Sequence, residues 1–330
     1  MILKAENLSK VFSRELDLSE KIARRLGVKV GNRAVRAVDA IDFNVAKGEV
    51  VGLVGESGCG KSTLGRMVAG LIPPTSGNVL FQGVNPATAR SREERKAALK
   101  IQMIFQDPYA SLNPRMKVKD IVGEAPLVHG LVGREGQREW VADTLRRCGL
   151  DPAYMDRYPH QFSGGQRQRV GIARALAVQP EFIVADEAVA SLDVSIQAQI
   201  LNLFMKLRED LSLSYLFVSH SIGVVKHISD RVMVMYLGRL VEEGRTEDIF
   251  GDPNHPYTKA LLREVPKLED RKAAYNPIKG EIPSPMDPPS GCHFHPRCPH
   301  AMLRCREETP KLKEIAPGRR SACHLNDLKE

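Results

Sequence analysis

One segment of the chain carries residues whose types and spacing suit phosphate chemistry. Gly55-Glu56-Ser57-Gly58-Cys59-Gly60-Lys61-Ser62-Thr63 fits G-x-x-x-x-G-K-S/T. Glycines let successive backbone N–H groups converge on phosphate oxygens, and the N-terminus of a following helix adds partial positive charge. Lys61 would reach the β- and γ-phosphates of a nucleotide, and Ser62 would ligate Mg2+. The flanks favour this over a plain glycine turn. Glu49–Gly55 (EVVGLVG) reads as a buried strand, and Leu64, Met67, Val68 and Leu71 follow at helical spacing. Cys59 occupies a variable position and reads as a small filler rather than a reactive thiol.

A second segment supplies carboxylates. Phe182-Ile183-Val184-Ala185 is an apolar strand that ends in Asp186-Glu187. Asp186 is placed to hold Mg2+ through water, and Glu187 to orient and deprotonate a water in line with the γ-phosphate. An apolar strand ending in two acids is often only structural. Here it follows Lys61 by 125 residues, which makes the pair a candidate nucleotide site.

Those residues need elements to position them. Ile101–Gln106 and Tyr215–His220 read as further strands, and Gln197–Asp210 as a helix burying Ile200, Leu201, Leu203, Phe204 and Leu207. Strands alternating with helices predict a largely parallel α/β sheet, whose ligands sit at the carboxyl ends of the strands. The 330 residues allow about two domains. With 42% hydrophobic and 27% charged residues, global disorder is excluded. A net charge of +8 permits an anionic partner without establishing one. Residues 1–36 hold nine Lys/Arg against four Asp/Glu, and twelve of the 21 prolines lie in 251–330, which places a boundary near 250. No run of 18 apolar residues is present, and MILKAENLSK lacks the apolar core of a secretory signal, so a cytoplasmic protein is expected.

A third segment points to a family. Gln161-Phe162-Ser163-Gly164-Gly165-Gln166-Arg167-Gln168-Arg169 closely resembles the signature loop of ABC transporter ATPases, with Phe162 where Leu is commoner. In that family's order, Gln106 resembles the Q-loop glutamine, Ser191-Leu192-Asp193 the D-loop and His220 the switch histidine. The resemblance implies an ABC-type P-loop ATPase over 1–250, with a mostly parallel core sheet, an antiparallel N-terminal β part and a helical signature subdomain at about 107–170. A short Pro/Cys-rich extension, 251–330, follows. It also implies a head-to-tail dimer with two ATPs in the interface. Each ATP would be held by Gly55, Ser57, Gly58, Cys59, Gly60, Lys61, Ser62 and Thr63 of one subunit, and by Ser163, Gly164, Gly165 and Gln166 of the other. Asp193 would lie at that interface, Mg2+ would take Ser62, Gln106 and Asp186, and catalysis would fall to Glu187, His220 and Gln106. An isolated monomer should then hydrolyse ATP poorly. Phe12 is the candidate to stack on adenine, its alternative being a core residue of the first strand. The family usually has Pro after the catalytic Glu; here Ala188 follows, which leaves the turn beyond Glu187 open.

Two further segments narrow the branch. Asp107–Met116 (DPYASLNPRM) and His255–Leu262 (HPYTKALL), with Gly280–Pro285 behind them, look like the ATPase subunits of dipeptide, oligopeptide and nickel importers, and the chain resembles the F-type subunit of the peptide group. The resemblance implies a peripheral protein on the cytoplasmic face of the inner membrane. It would pair with a second, homologous ATPase beneath two permease subunits, be served by an extracytoplasmic solute-binding protein, and have no nucleic-acid partner. Peptides are the expected solute, with nickel, glutathione or another small solute as the alternative, because the ATPase need not touch the cargo. A soluble non-transport ABC ATPase is disfavoured: the span from Gln106 to Gln161 is too short for a coiled coil, and only one P-loop is present. Glu187 and His220 speak against a binding module without turnover. Residues 13–36 read as an insertion with an amphipathic basic helix (Leu18, Ile22 and Leu26, with Lys21, Arg24 and Arg25), suited to an anionic lipid surface or to a solvated excursion.

Four of six cysteines, Cys292, Cys298, Cys305 and Cys323, fall in the last 39 residues beside His293, His295, His300 and His324. Their spacing lacks the C-x2–4-C knuckles of structural zinc. The residues leave open a 4Fe-4S cluster, zinc with some histidine ligands, or free thiols. The resemblance supports the cluster. Cys148 reads as a core thiol.

Overall fold

Period-two burial builds the N-terminal sheet. In β1 (Leu3–Ser13) Leu3, Ala5 and Leu8 are buried, and in β2 (Ala34–Val45) Ile41, Phe43 and Val45 alternate with exposed Ala40, Asp42 and Asn44. The computed structural model describes residues 1–13, 34–107, 111–190, 192–263 and 280–328. With β4 (Ser76–Phe81), these strands form a three-stranded antiparallel sheet in the order β2-β1-β4. Ser13 pairs with Ala34, so residue 13 and residues 34–36 belong to strands rather than to an insertion. The helix expected around Leu18–Leu26 lies outside the described residues.

Continuous burial marks the second sheet. All five residues of β3 (Val50–Val54), β6 (Phe182–Asp186) and β7 (Ser214–Val218) are buried, as strands covered on both faces require. With β5 (Ile101–Ile104), β8 (Arg231–Tyr236), β9 (Arg239–Arg245), β10 (Lys313–Ala316) and β11 (Arg319–Ser321), the sheet runs β10-β11-β9-β8-β3-β7-β6-β5. The stretch from β8 to β5 is parallel, and β9, β11 and β10 continue it antiparallel. The C-terminal hairpin thus joins the core sheet through β9, and Tyr257 and Phe294 share one core with Val50 and Tyr215.

Among the described residues the α-helices are α1 (Lys61–Val68), α2 (Arg92–Leu99), α3 (Val118–Val128), α4 (Gln137–Arg147), α5 (Gly164–Leu176), α6 (Val194–Leu211), α7 (Ile222–Ile228), α8 (Thr246–Gly251), α9 (Pro256–Arg263) and α10 (Arg304–Glu307). Helix α6 buries all five apolar residues expected of it, each worth roughly 1.5–3 kcal/mol. Leu71 departs from expectation: it is 52% exposed and lies past the end of α1. Gly70, at φ 71°, closes that helix by donating to the Met67 carbonyl while Leu71 donates to Arg66, a glycine-ended C-cap. Among the described residues, no helix is long and apolar enough to cross a membrane.

Candidate active site

Four adjacent parallel strands deliver the expected residues to one edge. The chain leaves β3 into Gly55–Gly60, and α1 starts at Lys61. Two glycines here are required by space as well as by φ. A Cβ on Gly55 (φ 155°) would fall 2.2 Å from the Met235 carbonyl oxygen, and one on Gly60 (φ 107°) 2.0 Å from that of Ala37. Ser57 and Gly58 are exposed at the tip. Cys59 is buried and its thiol is raised by burial, as a filler should be. Lys61 curls back over the loop, donating from Nζ to the carbonyls of Gly55 (2.7 Å) and Glu56 (2.9 Å). Ser62 and Thr63 open the helix, half-buried.

The Ser62 hydroxyl donates to Asp186 Oδ1 at 2.9 Å, which joins two of the three expected Mg2+ ligands across 124 residues. Burial at the end of β6 raises the Asp186 carboxyl above the usual carboxylate range, against the Ser62 hydrogen bond that lowers it. Glu187 follows with φ 48°, a left-handed conformation that costs a non-glycine residue of the order of 1 kcal/mol or more. Its N–H donates to the Val218 carbonyl, and its own carbonyl accepts from Ala190. The turn beyond Glu187 closes without proline, with Ala188 and Val189 buried beneath it.

Strands β5 and β7 end two residues earlier than expected, at Ile104 and Val218, so Gln106 and His220 sit in the turns that follow. From there both reach the same atom. Gln106 Nε2 donates to Glu187 Oε2 at 2.8 Å, and His220 Nδ1 lies 3.3 Å from that oxygen.

The signature residues stand apart. Ser163 caps α5, accepting from the Gln166 N–H, while the Gln166 side chain accepts from the Ser163 N–H, so their hydrogen bonds close on their own turn. Ser163 and Gly164 are exposed. Gly165 packs against α6, where a Cβ would meet Ile196 Cγ2 at 2.4 Å. Phe162 is buried edge-on to Tyr154, centroids 5.7 Å apart, which explains an aromatic where Leu is commoner. Asp193 is exposed at the start of α6, and Ser191 lies outside the described residues. Phe12 is 45% exposed with Lys10 Nζ 5.3 Å from its ring centre, which removes the core alternative for that residue.

Sequence reasoning missed two partners of the phosphate loop. The Glu56 carboxylate is held by both terminal nitrogens of Arg297 at 2.8 and 2.9 Å, and the Glu56 N–H donates to the Tyr257 hydroxyl at 2.9 Å. A signal existed: an acid inside a phosphate-binding loop needs a cation to neutralise it.

Cys292, Cys298, Cys305 and Cys323 line one small, partly open cavity of about 10 Å³ together with His255, His295, His300 and His324. None of the six cysteines is in a disulfide. Burial and then neighbouring thiols push Cys292 up to about 11, and burial does the same for Cys323. Among the described residues, no group of three or more His, Cys, Asp or Glu is gathered closely enough to hold a single metal ion. Cys148 is a core thiol, pushed up to about 12 by burial.

Comparison with known proteins adds to this geometry. Residues 38–190 match the ABC transporter family, and residues 241–305 match the oligopeptide/dipeptide transporter C-terminal region. The chain is 50% identical over 318 residues to a putative oligopeptide transport ATP-binding protein, YkfD, of Bacillus subtilis (strain 168), covering 94% of this chain and 96% of that one. It is 50% identical over 301 residues to the oligopeptide transport ATP-binding protein AppF of the same organism, covering 90% and 91%. Among solved structures it is similar to a dimeric ATP-binding cassette in a post-hydrolysis state bound to ADP and Pi (28% identity, TM-score 0.62, 74% of this chain and 99% of that one). A second is cbiO1 from Clostridium perfringens, part of the ABC transporter complex cbiONQ (28% identity, TM-score 0.61, 76% and 91%).

Proposed function

This chain belongs to the ABC transporter ATPases, in the branch with the oligopeptide/dipeptide C-terminal region, and from that membership we propose how it works. It is an ATPase that powers peptide import. The observation that carries the assignment of roles is the convergence of Gln106 and His220 on one oxygen of Glu187, beside the Ser62–Asp186 bond.

Backbone N–H groups of Gly55–Thr63 and the start of α1 receive the phosphates, and Lys61 exchanges its loop carbonyls for phosphate oxygens. Ser62 and Asp186, already in contact, suit Mg2+, which when bound offsets charge on the β- and γ-phosphates. Glu187 takes the proton from the attacking water at its carboxylate. Gln106 and His220 hold that carboxylate in place and report on it to the segments that carry them. Phe12 stacks on adenine at the exposed end of β1. Ser163–Gln166, self-capped with Ser163 and Gly164 exposed, cover the γ-phosphate of a facing subunit, and Asp193 lies at that contact. The partner is a second, homologous ATPase, so that the pair closes on two ATPs beneath two permease subunits on the cytoplasmic face of the inner membrane. A solute-binding protein outside delivers the peptide. Closure is a population shift driven by ATP and removed by hydrolysis.

For the cysteine cavity the reading is a 4Fe-4S cluster held by Cys292, Cys298, Cys305 and Cys323. Four thiols lining one small cavity support it. Its contribution would be a covalent staple for a segment with few strands of its own. Iron and acid-labile sulfide near four each per chain after anaerobic purification, lost in Cys298→Ser, is the expected result. Stoichiometric zinc, or no metal, would refute it.

The test of function is nucleotide binding and uptake. The purified chain should bind MgATP, and Lys61→Ala should weaken binding by about a hundredfold, since two charge-assisted hydrogen bonds at about 1.5 kcal/mol each are lost. The same variant should abolish peptide uptake in cells that depend on this transporter. Uptake that persists with Lys61→Ala would refute the assignment.

A further inference from the structure

We propose that Arg297, acting with Tyr257, is a positioning residue for ATP binding: through it the C-terminal extension sets the phosphate loop. The proposal rests on the reading that Gly55–Thr63 receives the phosphates of ATP.

Glu56 is the one acidic residue in that loop, and every polar group it has is engaged. Its N–H donates to Tyr257 Oη at 2.9 Å. Its carbonyl accepts from Lys61 Nζ at 2.9 Å. Its two carboxylate oxygens take a bidentate pair from Arg297 at 2.8 and 2.9 Å. Left alone, a carboxylate here would repel an incoming polyphosphate. Paired with a guanidinium in this fork geometry, it is neutralised and fixed in direction. Because Lys61 binds the carbonyl of the residue that Arg297 pulls on, a shift of Glu56 moves the loop backbone and the lysine together.

Arg297 is itself tightly held. Its side chain is only 4% exposed, its guanidinium lies 5.9 Å from the ring centres of both Tyr236 and Phe294, and it donates to the Tyr236 hydroxyl at 3.3 Å. Tyr236, Tyr257 and Phe294 form one buried aromatic group with centroids 4.7 to 5.4 Å apart. The backbone of Arg297 sits in the short turn His295–Arg297, flanked by Cys292 and Cys298. Cys292 donates to the Cys305 carbonyl at 2.8 Å, and Cys298 to that of His295 at 3.3 Å. The turn that carries the clamp is thus tied to Cys305 through Cys292, and the cysteines on either side of it line the same cavity.

A plain ion pair fastening the extension to the domain would lower stability when broken and leave nucleotide affinity alone. A positioning clamp raises the Kd and KM for MgATP more than it lowers kcat, since Glu187, Gln106 and His220 are untouched. The experiment uses the full chain and measures MgATP Kd, ATPase kinetics with the partner cassette, and Tm for Arg297→Gln, Arg297→Lys, Glu56→Gln, the double variant Glu56→Gln/Arg297→Gln, and Tyr257→Phe. Arg297→Gln should raise Kd by about tenfold to a hundredfold, the scale of a charge-assisted hydrogen bond such as those Arg297 makes to Glu56. Arg297→Lys should not rescue it, because an ammonium cannot make the fork. The double variant should bind better than the product of the single effects, as coupled partners require. Tyr257→Phe keeps the ring packing and removes one hydroxyl, so it decides the matter if Arg297→Gln fails to fold; about fivefold weaker binding with nearly parental Tm is expected. Parental Kd in Tyr257→Phe and in a folded Arg297→Gln, or a lowered Tm with KM unchanged, would overturn the clamp while the ATP site stands. A parent chain that fails to bind MgATP overturns the phosphate-loop reading, and the clamp with it.

Discussion

Replacing Glu187 with glutamine isolates one chemical property at one position. Gln has the same volume, and its amide oxygen can still accept the 2.8 Å hydrogen bond from Gln106 Nε2. The left-handed backbone at φ 48° strains Gln as much as Glu, so the turn carrying Ala188 and Val189 is unaffected. What disappears is the carboxylate that takes the proton. General-base catalysis is worth about a hundredfold to ten-thousandfold, which corresponds to about 2.7–5.5 kcal/mol in the barrier. Nucleotide affinity should stay at the parental value or tighten, because Lys61, Ser62 and the loop are unchanged and a negative charge near the γ-phosphate is gone. Steady-state phosphate release with the partner cassette gives kcat, a fluorescent ATP analogue gives Kd, and light scattering gives the mass of the assembly. The expected result is a kcat lower by at least about a hundredfold, with parental Tm and an ATP-trapped dimer. Hydrolysis at the parental rate would refute Glu187 as the base. Loss of ATP binding together with Tm would show that its hydrogen bond from Gln106 and its contact with His220 are structural instead.

Gly60→Ala places a Cβ 2.0 Å from the Ala37 carbonyl oxygen at φ 107°, so it should abolish MgATP binding and lower Tm, whereas Gly58→Ala meets no atom within 4 Å and bears only the strain of φ 78°, about 1–2 kcal/mol, so it should fold with a smaller fall in Tm; equal losses in both would refute the steric argument. Phe12→Ala should weaken ATP binding by about 1–3 kcal/mol, the worth of one base on an aromatic, and leave Tm unchanged because the ring is half-exposed. A fall in Tm with parental affinity would return Phe12 to a packing role. Phe162→Leu should cost under about 1.5 kcal/mol and Phe162→Ala about 3–5 kcal/mol in urea unfolding, since the buried ring packs edge-on against Tyr154; equal costs would refute that packing.

The chemistry of the site was legible where it is written in short segments. Val50–Thr63 and Phe182–Glu187 each carry strand, turn and reactive group within a few residues, and the β6 strand expected from the apolar run Phe182–Asp186 spans those residues in the structure. The antiparallel N-terminal strands were expected only from the family resemblance, whereas helical spacing found the buried face of α6. Leu71 failed because apolar spacing ignores a terminator, and Gly70 ends α1 one residue before it. Gln106 and His220 were placed on strands but belong to the turns beyond them. Strand ladders stop where neighbours stop pairing, which no single segment records.

Sequence alone determined which groups could act: a lysine and serine after a glycine loop, two acids after an apolar strand, and small donors at a helix start. These are local facts, carried by covalent neighbours and by backbone conformations that few residues tolerate. Only the tertiary structure decided which groups meet. It put Gln106, Glu187 and His220 on one carboxylate oxygen, closed four cysteines around one cavity, and paired Glu56 with Arg297 across 241 residues. The last pairing arises because the C-terminal hairpin completes the sheet at β9 and buries Tyr257 and Phe294 against the core, which carries the turn bearing Arg297 to the phosphate loop.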